Sequence, residues 1–579
     1  MTSRPFRSEV LCDFPDDVDH VTYPLTPDHI DGHMRLFKAQ GVSRISWSYY
    51  ADERGGQIYP YDPADTRNPF PGWRNIVDTY HRLGNPLRVA AEAAHRHGLE
   101  IHGNFKPYET GCGHPFPAGS PEARRFGKLD KLSARLGSLD PFVIEHPELR
   151  IKRRTGDIPA DNDDRVIASI KLLKHDDSPT RIRKANLQIW TSGDNYQYQP
   201  LDVAFDLEEN VEPAERDVEN MVGNVYYNQT TLLTRKGDPI RTLTISGLHL
   251  PQSYVLITTD FKDGTPDFHN TATEMMRAYD DRGNEIIGIF SNGGSIYNTP
   301  LVDFRDWGLM YDTGYGCSPG FLDESNATGK AGLIAFTRGR SPTLDGALCE
   351  TEPAVREFWL DCVKAILDTG VDGIDFRVEN HSTHTDYPFD YGYNQVILDK
   401  LSDPANPSPN EISRVRGDAY TDFLRRAREL IKAEGKTMRI NLQVDYLRPH
   451  PPLSRLLAYP ANLELQWRSW IEDGIADEAI FRFVNYQFDE ILNDASAQEV
   501  VEHCNQHNVP IAFNRYVTHG DLPEEVRQIR GDERFCGFIF YETCCFTEYK
   551  PDGTVAMKPD FDVPQAMEIA ASERSGMEK

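Results

Sequence analysis

Positive charge is in short supply in this sequence. Lys and Arg number 62 against 90 Asp and Glu, for a formal net charge of −28. Nucleic acids and anionic membrane surfaces want basic patches, so neither is expected as a partner. Cysteine is sparse as well: nine in 579 residues, with one adjacent pair at Cys544 and Cys545 and no CxxC spacing. Such a set offers no disulfide framework, and a reduced, cytoplasmic setting is expected. No apolar run approaches the length of a membrane span. The opening MTSRPFRSEVLCDFPDD has no apolar segment of the secretory kind, so no leader is expected. The nucleotide-binding patterns GxGxxG and the P-loop are missing, as is the metalloprotease pattern HExxH.

What is present is enough hydrophobic side chain for large cores, and a length that suits a barrel carrying an extra domain. The stretch GVDGIDFRVENH, Gly370 to His381, organises the reading. Before it, Val355, Phe358, Trp359, Cys362, Val363 and Ile366 recur at helical spacing on one face. Gly370 ends that helix as a residue able to take a left-handed cap conformation. The period then changes to two. Ile374, Phe376 and Val378 point one way, and Asp375, Arg377 and Glu379 the other. Three charged groups on one strand face are costly to bury unpaired. They suit a strand whose polar face looks into a pocket, or a structural ion network.

Around it the chain repeats a unit of helix, Gly, strand. The expected strands are Val42 to Tyr50, Leu99 to Lys106, Gly332 to Arg338, the Gly370 stretch, Thr437 to Asp445, Asp477 to Val484, Val509 to Arg515 and Phe535 to Glu542. Eight strands, most preceded by helices, predict an α/β fold of the (β/α)8 barrel type, with an open doubly wound sheet as the rival. Short strand-like runs between turn signals, such as VIASIKLL and YVLITTDF, interrupt the unit and predict an inserted antiparallel β-rich domain. The expected division is residues 1–151 for the first part of the barrel, 152–291 for the insertion and 292–579 for the rest.

Active sites in such barrels sit where the strands end. Those ends offer Trp47, Tyr49, Asn104, Lys106, Asp375, Arg377, Glu379, His381, Asp445, Tyr486, Asn514, Arg515, Tyr541 and Glu542. Carboxylates, amides and flat aromatics suit a sugar, since rings stack on its C–H faces while polar groups bond its hydroxyls. Glycoside hydrolysis needs one ionised and one protonated carboxyl group. Glu379 is the candidate for the ionised member, with Arg377 two residues back favouring its charge. Asp445 and Glu542 compete for the acid. His381, His384 and Asp386 with Glu379 make a weaker metal alternative, and no metal or cofactor is expected.

Three segments carry a family resemblance. VDGIDF, following LCETEPAVREF and its helix, resembles the fourth-strand region of the glycosyl-hydrolase-like family 10 barrels. HRHGLEIHGNFKPYE is similar to that family's second strand, and WRSWIEDGIADEAI to a later segment. The chain departs from the family where Arg377 follows Phe376, a position the family gives to Asp. FRVENH also resembles a strand of the α-amylase superfamily whose acidic residue is the nucleophile, and that likeness implies the role for Glu379. The expected function is cleavage of a glycosidic bond in a small oligosaccharide or glycoside. A metal-assisted or lyase-type carbohydrate enzyme using Lys106, His381 or Tyr541, and a sugar-binding barrel without catalysis, are the alternatives.

Overall fold

The structure, a computed structural model, describes residues 5–50, 71–115, 135–155, 165–192, 199–222, 229–251, 254–259, 274–287, 289–293, 334–338, 343–378, 388–443, 462–483, 493–518 and 520–572. Eight parallel strands close into a barrel: β1 (Arg7–Cys12), β2 (Arg44–Ser48), β3 (Glu100–Phe105), β4 (Gly373–Phe376), β5 (Thr437–Gln443), β6 (Glu478–Phe483), β7 (Ile511–Tyr516) and β8 (Phe535–Tyr541). Strand β1 completes the closure, pairing with β2 on one side and β8 on the other.

Helices surround the barrel: α1 (Phe14–Asp19), α2 (Pro27–Ala39), α3 (Pro71–Leu83), α4 (Pro86–Arg96), α5 (Pro353–Leu367), α6 (Pro409–Ala433), α7 (Trp467–Glu472), α8 (Ala495–Gln506), α9 (Leu522–Gly531), α10 (Thr543–Phe546) and α11 (Val563–Ala571). Their starts follow local chemistry. Thr26 and His29 form a reciprocal cap ahead of Pro27, and the Asn85 side chain accepts from the backbone of Arg88 ahead of α4. Gly370 takes φ 91° after α5, a conformation that costs a side-chain-bearing residue. Gly103 serves a different need: a Cβ there would lie 2.5 Å from Ile366, so its absence lets α5 seat closely on β3.

Two strand assignments are corrected. The first barrel strand is Arg7–Cys12, which the periodicity did not single out. Its inward side carries Glu9 in an ion network, so the segment lacks an apolar signature. Gly332 to Arg338, expected as a barrel strand, is not one. Its Ile334–Arg338 pairs antiparallel with Tyr254–Thr259 and Ile289–Gly293. A short apolar run reads alike in a parallel barrel and in the core of a sandwich. In space β3 pairs directly with β4.

Among the described residues the inserted segment forms a two-stranded pair, Val218–Val222 with Gln229–Thr234, and two larger antiparallel sheets. One has four strands in the order Asp206–Pro213, Pro239–Leu250, Ile167–Lys174, Met276–Tyr279. The other has five, in the order Ile289–Gly293, Ile334–Arg338, Tyr254–Thr259, Leu187–Ser192, Gln199–Pro200. Ile170 and Leu243 of the first sheet share one core with Ile189 and Val255 of the second. That core is separate from the one between barrel and helices.

Inside the barrel the side chains form levels. At the floor, Arg439 bonds Asp375 with two nitrogens at 2.6 Å, and also reaches Glu9 at 2.6 Å and Glu478 at 3.0 Å. His102 adds a 2.8 Å bond to Asp375, and Arg44 a 2.9 Å bond to Glu478. Burial opposes the charge on Asp375, but Arg439 and then His102 hold its carboxyl well below the usual range. Leu11, Ile480, Ala512 and Ile539 form an apolar level above. The uppermost level is polar again, at the strand ends. No helix among the described residues is long and apolar enough to cross a membrane.

Candidate active site

Strand β1 delivers Asp13 to the mouth, and α1 begins on the next residue with Asp16 and Asp17 in its first turns. Strand β8 delivers Tyr541 and Glu542 beside them. Each of Asp13, Asp16 and Glu542 can place a carboxylate oxygen within 4.8 Å of the other two, and all three residues are buried. At that spacing two negative charges repel by about 3.5 kcal/mol at an effective dielectric of about 20. Full ionisation of the trio is therefore disfavoured, and Glu542 is the member that keeps its proton. Burial pushes its carboxyl well above the usual range, and Asp16 and then Asp13 add to the effect. Its Oε1 is buried with no hydrogen-bond partner.

Asp13 is held differently. Its Oδ2 accepts from the Tyr541 hydroxyl at 3.1 Å and from Arg377 at 3.3 Å, and lies 3.6 Å from the Lys106 ammonium. Its Oδ1 is buried and unpartnered. One oxygen is thus fixed by donors while the other stays available. Lys106 also approaches Glu109 at 3.7 Å. The Tyr541 ring lies under two guanidinium groups, Arg482 at 4.4 Å and Arg377 at 5.6 Å. Burial raises the Tyr541 phenol well above its ordinary range, and the Asp13 carboxylate beside it adds to the effect, which keeps it a donor.

Behind the trio, Asp17 accepts from Thr543 Oγ1 at 2.7 Å and from Cys12 Sγ at 3.0 Å. Burial lifts its carboxyl to about 7 despite those bonds. Cys544 and Cys545 follow on α10, and each sulfur comes within 4.8 Å of the other and of a Glu542 oxygen. The Cys545 thiol is drawn down to about 7, mainly by a hydrogen bond from Cys544.

The residues expected from the sequence divide into groups. Arg377, Lys106, Tyr541 and Glu542 meet at the mouth, around Asp13. Asn104 and Asn514 are buried, and both polar atoms of each amide lack a partner. Asp375 shares the inward face with Arg377, as the alternation predicted, but belongs to the floor network. Trp47 lies on the outward face, fully buried with its ring 4.7 Å from Phe14. Tyr49 packs against Tyr50 and Phe105 in that same outer core. Arg515 also faces outward, in a two-pronged pair with Glu525 of α9 at 2.8 and 3.0 Å. Glu379, His381, His384, Asp386, Asp445 and Tyr486 lie outside the described residues. Sequence reasoning missed Asp13, Asp16 and Asp17. The signal available was DFPDD: an acidic cluster with Pro15 opening a helix.

No family model matches the chain, and no curated protein matches it. Similar solved structures include three of glycoside-hydrolase type. The glycoside hydrolase domain of PelA from Pseudomonas aeruginosa is 12% identical over 34% of this chain and 64% of that one, with a TM-score of 0.21. The PgaB (BpsB) glycoside hydrolase domain from Bordetella bronchiseptica is 13% identical over 35% and 60%, at 0.24. The catalytic domain of beta-amylase from Paenibacillus polymyxa is 8% identical over 99% and 100%, at 0.33. The chain spans less than two thirds of the length of the first two domains.

Proposed function

We propose that this chain hydrolyses a glycosidic bond, with Glu542 as the proton donor and Asp13 as the carboxylate that meets the developing positive charge of the sugar. The observation that carries the reading is the division of labour between two buried carboxyl groups at one rim. Glu542 is kept protonated, and Asp13 has one oxygen pinned by Tyr541 and Arg377 with the other unpartnered. Glycoside hydrolysis uses such a pair, and carboxyl groups about 5 Å apart favour retention of configuration. Asn104 and Asn514 supply amides able to bond sugar hydroxyls. Glu379 and Asp445 remain sequence-based candidates for the charged member and are tested beside Asp13.

The test is an oligosaccharide panel scored for new reducing ends. Glu542→Gln should lose about 100- to 10,000-fold on natural linkages. It should keep far more activity on a nitrophenyl glycoside, whose leaving group needs little protonation. Equal loss on both substrates would remove Glu542 from the acid role. No reducing ends from any substrate, with an unsaturated ultraviolet-absorbing product instead, would favour lyase chemistry. A second reading rests on the same trio, since three carboxylates also suit a hard divalent cation. The Arg377 and Lys106 cations beside Asp13 oppose it, and activity that survives a chelator would set it aside.

A further inference from the structure

The opposite end of the barrel carries a separate constellation. Helices α7 and α8 lead into β6 and β7, so their C-terminal ends lie at the floor, away from the mouth. They meet in a regular register. Arg468 of α7 pairs with Glu499 of α8. Four residues further along each helix, Glu472 Oε1 lies 3.3 Å from His503 Nε2. One more step along α8 reaches His507, its C-cap residue. Residues four apart share a helix face, and the two imidazole rings stand 4.7 Å apart, tilted by 39°. Glu472, His503 and His507 can each offer a ligand atom within 4.8 Å of the other two.

The geometry points to a transition-metal site, of the zinc class, formed by Glu472, His503 and His507 across α7 and α8. Two imidazoles and one carboxylate form a donor set of borderline softness that suits zinc better than magnesium or calcium. Three protein ligands leave a fourth tetrahedral position for water. The local field is favourable too. His507 caps the carbonyl end of the twelve-residue α8, where the helix dipole attracts positive charge. His503 is steadied by the edge-on ring of Trp467 at 5.2 Å, so one ligand is already oriented. Glu472 and His507 are exposed, which gives an ion direct access. A bound ion would tie α7 to α8, and through them the starts of β6 and β7, whose far ends carry Arg482 and Asn514.

The experiment uses the full chain, stripped with a chelator and then dialysed, and titrates zinc chloride alone by calorimetry. One equivalent should bind with micromolar affinity and raise the melting temperature. Glu472→Gln and His507→Gln, both at exposed positions, should each weaken that binding about tenfold or more and abolish the thermal shift. Cobalt in place of zinc should give weak visible bands of nitrogen and oxygen ligation. Absence of micromolar binding would overturn the proposal, as would binding that His507→Gln leaves intact. An intense near-ultraviolet thiolate band would do the same, since it would put the ion at Cys544 and Cys545.

Discussion

Asp17 allows the electrostatics of the mouth to be measured without knowing the substrate. The perturbation is Asp17→Asn, which keeps the shape and an acceptor for Cys12 and Thr543 while removing the titration. In the folded chain burial holds this carboxyl at about 7, against an ordinary 3.8. Its folded value is raised, so between roughly pH 4 and 7 the folded form keeps a proton that the unfolded chain has released. Stability therefore falls as pH rises through that window and levels off above it. A shift of about 3 pK units corresponds to at most about 4 kcal/mol. The Asn variant lacks this slope. Urea unfolding of both proteins at half-unit steps from pH 4 to 8 gives the two curves. The variant should gain steadily on the parent as pH rises, by up to about 4 kcal/mol, with most of the gain complete by pH 7.5. Curves that stay parallel within about 1 kcal/mol would show that burial does not govern Asp17. The same argument for a protonated Glu542 would then weaken.

Three further outcomes are expected. Arg439→Met should unfold the chain more easily by about 3–5 kcal/mol, read by denaturant midpoint, because it strands Asp375, Glu9 and Glu478 at the floor with their principal cation gone. Asn514→Ala should raise KM while changing stability by less than about 1 kcal/mol, since its buried amide makes no protein hydrogen bond to lose. Glu379→Gln should leave circular dichroism and melting unchanged and, if Glu379 carries the charge that meets the sugar cation, cost on the order of a thousandfold in turnover; activity within tenfold of the parent would remove it from the mechanism.

The barrel was legible wherever a strand followed an amphipathic helix and a glycine. The alternation of Ile374, Phe376 and Val378 against Asp375 and Arg377 identified both faces of β4 correctly. It could not tell floor from mouth, because a two-residue step along a strand changes depth without changing side. That is why Asp375 reads like Arg377 in sequence and sits among different neighbours in space. Trp47 and Tyr49 show a related limit: alternation places them on one side together, but an aromatic serves an outer core as readily as a sugar platform. Arg515 pairs with Glu525 on the following helix, and no periodicity announces such a partner. The largest gap was β1. A strand whose inward side holds Glu9 looks polar until the cations that neutralise it, Arg44 and Arg439, are seen coming from elsewhere in the chain.

The place where the barrel closes has a consequence for biosynthesis. Strand β1 is made before its neighbour β8, and the other six barrel strands are made in the interval between them. Asp13 and Tyr541, which share a hydrogen bond across that junction, are 528 residues apart in the chain. Contacts of such separation form late and slowly. Until then a nascent chain holds the proposed acid and its partner carboxylate on strands that have not met. Truncated products and stalled chains would carry half of the pair and no chemistry. On the proposed pairing, the arrival of β8 beside β1 is the event that switches the enzyme on.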